Sequence, residues 1–144
     1  MFYKTKNIYE QYTYSNQEFI DNKCVVFLWR RGSMKYGIDL NDLLGLHFFM
    51  ASDFNPAQLI TYMFMHAGIL HILFNMLWLY WFGSLFLYFF SAKHLRGLYV
   101  LGGICGGLLY TIAYNVFPLF SSQVAGATLV GASASVLAIV AATA

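Results

Sequence analysis

The sequence predicts an all-α protein embedded in a membrane, and three observations predict it. Apolar residues make up 60% of the chain, aromatic residues 19% and charged residues 10%, where an ordinary soluble domain carries about 25% charged residues. All six acids and six of the eight Lys and Arg precede Phe54, and from there to Ala144 only Lys93 and Arg96 carry a formal charge. Within that nearly uncharged part lie three apolar stretches that reach or approach the roughly 20 residues a helix needs to cross a bilayer.

Residues 1–37 mix polar and aromatic side chains without a clear period, so their structure is left open. The first 24 hold Lys4, Lys6, Glu10, Glu18 and Asp21 with no long apolar run, so no secretory signal peptide is expected. Val25 to Trp29 is apolar but is stopped by Arg30 and Arg31, which makes it too short to span. Residues 38–65 are expected to form a structured outer loop at the membrane surface. Their first part, IDLNDLLGLHFFMASDFNPAQ, alternates short apolar groups with Asp39, Asp42, Asp53 and Pro56, a pattern suited to short helices lying along an interface. The three spans are placed at residues 71–90, 97–117 and 125–144. The SAKHLR connection carries Lys93 and Arg96, whereas NVFPLFSSQVAGA carries no charge. The positive-inside rule then puts the former in the cytoplasm and the latter outside. His71 and the start of the third span meet at the outer side. The protein is expected to be integral and multi-pass, in the cell membrane.

Several functions are disfavoured. No basic stripe survives into the apolar part, so no nucleic-acid partner is expected. Cys24 and Cys105 show no metal-site spacing, and a disulfide between them is not expected. The segment LGGICGG, residues 101–107, offers Gly102 with Gly106 and Gly103 with Gly107, two small-xxx-small faces that let helix backbones approach closely. The aromatic residues Trp78, Tyr80, Trp81, Tyr88, Tyr99, Tyr110 and Tyr114 fit an interfacial belt only loosely and are read as packing residues.

Chemistry concentrates in HAGILHILFN, residues 66–75. On a helix His71 and Asn75 stand four residues apart, on one face and one turn from each other. His66 belongs to the loop that leads in, because Ala67 and Gly68 favour a helix start after it. A single polar residue in a membrane helix is commonly interhelical hydrogen-bond glue; several together at depth suggest a functional site. In VGASASVLAIV, residues 130–140, Ser133 follows Gly131 at the mouth of the third span. There unpaired backbone N–H groups and the positive end of the helix dipole stabilise a developing oxyanion. Ser135, two residues on, is turned about 200° away and faces elsewhere.

Together, HAGILHILFNM and a later GASA resemble the rhomboid intramembrane serine proteases, whose pattern is a histidine, then HxxxN, then GxSG, then a histidine on the last core helix. The likeness covers roughly residues 38–144. It implies a partial rhomboid-like helical bundle, about three transmembrane helices of a six-helix core. Ser133 resembles the nucleophile, His71 and Asn75 the oxyanion-binding side chains, and His66 the histidine that orders the outer loop. The chain departs from the pattern at Ala134, where GxSG ends in glycine, and at Ala57-Gln58, where a Trp-Arg pair often stands.

The expected activity is intramembrane serine endopeptidase hydrolysis by a Ser-His dyad, with transmembrane protein substrates as partners and no cofactor or metal. The general base is expected beyond residue 144, so residues 1–144 alone are expected to be inactive. His94 lies about 34 Å along the helix from His71, and His47 sits in the outer loop without a locked position. The alternative is a catalytically inactive rhomboid-like pseudoprotease that binds transmembrane helices. HExxH is absent, which disfavours a metal-dependent route. Nothing in the sequence fixes the oligomeric state.

Overall fold

The computed structural model describes residues 17–18, 20–29, 33, 36–117 and 126–144; the first sixteen residues and most of the charge-free connection lie outside them. Residues 20–29 form helix α1. Its buried positions, Ile20, Lys23 and Phe27, recur at helical spacing and present one face to the bundle. Residues 38–65 fold into short elements. Asp39 caps the five-residue helix α2 (Leu40–Leu44) by accepting a hydrogen bond from the Asn41 N–H at 2.9 Å, which satisfies one of the donors left free at a helix start. Strand β1 (Leu46–His47) follows, then helix α3 (Gln58–Thr61) and a 3-10 turn (Tyr62–Phe64).

Gln58 is the hub of this loop. Its carbonyl accepts from the His47 and Asn55 N–H groups, and its amide donates to the Leu43 and Asp53 carbonyls. One side chain therefore ties together four backbone positions of the loop. Thr61 Oγ1 adds a bond to the Leu44 carbonyl at 2.6 Å.

Among the described residues, helix α4 (Ile69–Phe89) and helix α5 (Ala92–Val116) are the two helices long and apolar enough to cross a membrane. At 1.5 Å per residue they are about 32 and 38 Å long, against a hydrocarbon core of about 30 Å. The buried residues of α4 run Ile72, Asn75, Met76, Leu79, Gly83, Phe86, Leu87. Leu70, Leu73, Trp81 and Leu85 on its other sides are exposed yet apolar, so the helix is hydrophobic all round, as a lipid-facing helix must be.

The connection between these helices is shorter than expected. Only Phe90 and Ser91 separate them, and Lys93 and Arg96 sit in the opening turns of α5. Ser91, at the N-cap, brings its hydroxyl to within 2.8 Å of His94 Nδ1, so the helix starts at once where a loop was expected. The aromatic packing expectation holds for Tyr99, which is fully buried, but Trp81 and Tyr88 are more than half exposed.

Helix α6 (Ser133–Thr143) starts eight residues later than the expected third span. The reason is non-local. Strand β2 (Thr128–Leu129) pairs antiparallel with β1, Leu46 opposite Leu129 and His47 opposite Thr128. Tyr110 Oη donates to the Ala127 carbonyl at 2.8 Å, and the Gly131 N–H donates to the Tyr62 carbonyl at 3.0 Å. Residues 127–131 thus spend their polar groups on other segments and stay extended.

The core sits where α4, α5 and α6 meet under the loop of residues 38–65. The two glycine faces of α5 have different partners. Gly102 and Gly106 meet Ala138 and Ala134 of α6, while Gly103 and Gly107 meet Met63, Leu59 and Leu46 of the loop, with Gly103 also under Ser135 of α6. Both faces work as close-packing surfaces, and Gly106 makes the room that Ala134 occupies.

Candidate active site

His71 lies in the first turn of α4 and Asn75 one turn below it. Asn75 is buried, and its Nδ2 donates one of two N–H groups to the His71 carbonyl at 2.8 Å, leaving the second available. Ser133 is the first residue of α6 and is exposed. The amides that open a helix have no partner within it, so Ser133 presents a hydroxyl beside unpaired N–H donors.

A cavity of about 430 Å³ joins these residues. From α4 it is lined by His71, Phe74, Asn75 and Trp78, and from α6 by Ser133, Val136, Leu137 and Val140. Both sets follow the spacing i, i+3, i+4, i+7, so two single helix faces confront each other. The polar groups gather at one end, and the walls below are apolar.

Gly131 brings the two helices together at the polar end. Its φ of +122° lies in the region that favours glycine. A Cβ placed there would stand 2.6 Å from His71 Cε1 and 2.7 Å from Nε2. The imidazole therefore rests directly on the backbone two residues before Ser133. Nothing in the local pattern singled out this contact, although GxS at a helix start was its visible trace.

His66 is in the lead-in to α4, as expected, and is fully buried. Its ring meets that of His71 edge-on, with centroids 5.3 Å apart, and Nδ1 lies 3.3 Å from the Phe64 carbonyl. Burial, then the neighbouring His71, outweighs that carbonyl and lowers the His66 pKa from 6.5 to about 4. Near neutral pH the ring is uncharged and serves as a wall behind His71.

Ser135 is fully buried on the opposite side of α6, with Oγ over Gly103, so only Ser133 faces the cavity. His47 is fixed by the Asp42 carbonyl, 2.7 Å from Nε2, and does not line the cavity. His94 lies at the far end of α4, beside Ser91. Phe74, Leu137 and Val140 were not singled out from sequence and Trp78 was read only as a packing residue, though the helical spacing from His71 and Asn75 places Phe74 and Trp78 on the same face.

Two apolar helices of bilayer length, glycine-alanine packing and a polar cavity end at a helix N-terminus define an integral membrane protein of the helical-bundle class. Residues 54–144 match the rhomboid domain, and the chain belongs to the rhomboid family. That family embraces intramembrane serine proteases and non-cleaving relatives. Searches of curated proteins and of solved structures each find no match.

Proposed function

We propose that the protein is an intramembrane serine endopeptidase that cuts peptide bonds in or beside the membrane-spanning segments of other membrane proteins. One observation carries this reading: a single cavity bounded by His71 and Asn75 on one helix face and by the N-terminal serine of α6 on the other. In this reading Ser133 Oγ attacks the scissile carbonyl carbon. Its proton passes to a general-base histidine, which the family's pattern carries on a later core helix; among the described residues the cavity holds only His71. The Ser133 N–H, the His71 ring and the second Asn75 N–H donate to the oxyanion. Collapse breaks the C–N bond, the amine leaves with the proton, and water then hydrolyses the acyl-enzyme. The site opens to the outer side of the membrane, opposite Lys93 and Arg96.

The apolar walls of the cavity favour a second reading, a family member that holds transmembrane helices without cutting them. Labelling separates the two. The protein, expressed in membranes with whatever sequence follows Ala144 in its gene, is treated with a fluorophosphonate probe. The protease reading expects labelling that Ser133→Ala abolishes; absence of labelling favours the non-cleaving reading, and labelling that survives Ser133→Ala removes Ser133 as nucleophile.

A further inference from the structure

Helix α1 carries a buried lysine that the mechanism above does not use. Lys23 is fully buried, and its Nζ donates to Tyr99 Oη while lying 4.0 Å from the centroids of both the Phe64 and Tyr99 rings, the position a cation takes over aromatic faces. Tyr99 Oη in turn donates to the Met63 carbonyl at 3.1 Å. The adjoining residue, Tyr62, donates through its hydroxyl to the Gly103 carbonyl at 2.6 Å and accepts the Gly131 N–H on its own carbonyl at 3.0 Å. Gly131 carries the His71 ring and leads into Ser133. The lysine thus reaches the cavity through hydrogen bonds from Lys23 to Tyr99, from Tyr99 to the Met63 carbonyl and from Gly131 to the Tyr62 carbonyl, joined by the peptide link between Tyr62 and Met63.

Stability does not account for an amine here. Replacing a buried charged group by an apolar side chain of similar volume is often neutral or stabilising, and methionine has nearly the shape of lysine. A fixed donor that aims the Tyr99 hydroxyl does account for it. Resting on the proteolytic reading above, we infer that Lys23 is a positioning residue: through Tyr99 it sets the Tyr62–Met63 backbone that anchors Gly131, and so the approach of Ser133 to His71 and Asn75.

The test uses the whole membrane-expressed protein and the fluorophosphonate probe. Lys23→Met is expected to slow phosphonylation of Ser133 about tenfold, since displacements near 1 Å cost up to about a hundredfold, with no loss of melting temperature in detergent. Tyr99→Phe is expected to slow it similarly, and the double variant to be no slower than the slower single, because both act through one link. Product-like slowing in the double variant, or a wild-type rate in Lys23→Met, overturns the inference. A readout independent of activity is chemical cross-linking of Phe74→Cys to Leu137→Cys across the cavity, in a background lacking Cys24 and Cys105. Adding Lys23→Met is expected to lower its rate several-fold, and an unchanged rate overturns the inference. If the parent protein does not label, the proteolytic reading fails by itself and the cross-linking rate decides the role of Lys23.

Discussion

Gly131→Ala is the sharpest single perturbation of the site. The added methyl has two consequences. It must sit at a φ of +122°, which costs an L-residue on the order of 1–3 kcal/mol. It also stands 2.6 Å from His71 Cε1, where ordinary carbon contacts are about 3.5 Å or longer, so ring and backbone must separate by about 0.9 Å. A displacement of that size in a reacting constellation is expected to slow the reaction by about tenfold to a hundredfold. Gly126→Ala is the matched control, because a Cβ there meets nothing within 4 Å. The assay compares phosphonylation rates of Ser133 and cleavage of a single-span substrate in both variants, with melting temperature in detergent read alongside. Gly131→Ala should fold, melt somewhat lower and react at least tenfold more slowly, while Gly126→Ala tracks the parent. A Gly131→Ala protein reacting at the parental rate refutes the argument that the His71–Gly131 contact sets the geometry.

Other outcomes follow from the same structure. Asn75→Ala removes a donor to the proposed oxyanion and should lower the rate by about a hundredfold to a thousandfold, with binding of an uncleaved substrate helix little changed. Gly106→Ala places a methyl on Ala134 and should destabilise by about 1–3 kcal/mol; the reciprocal pair Gly106→Ala with Ala134→Gly should recover most of the lost melting temperature. Gln58→Leu strands two N–H groups and two carbonyls at about 1–3 kcal/mol for each group left buried, and amide exchange in residues 40–58 should rise ahead of that in α4. His66 has a folded pKa of about 4 against 6.5, so the unfolded chain binds the extra proton between those values. Stability should be full above about pH 6.5 and fall by up to about 3 kcal/mol toward pH 4. A His66→Gln protein should lack that slope in thermal melts.

The sequence made legible what local periodicity controls. The His71-Asn75 face and the turning away of Ser135 both follow from 100° per residue, and α4 and α5 follow from runs of apolar residues. What was missed depends on partners far along the chain. The late start of α6 is set by β1, some 80 residues earlier, and by the Tyr62 carbonyl; an apolar run alone gives no hint of either. Lys23 reads as one charge in a polar segment because its partners, Phe64 and Tyr99, lie 41 and 76 residues on. Gly131 reads only as the small residue before Ser133, because the His71 ring against it lies 60 residues earlier. In each case the missing information is a hydrogen bond or contact between segments that no short window contains.

The two-residue pairing of Leu46–His47 with Thr128–Leu129 has a mechanical consequence. It stitches the surface loop to the chain just upstream of the serine, at the same end of the bundle as the two ring-bearing turns. Lifting that cover would therefore pull on the strand that leads into α6 and shift the serine with it.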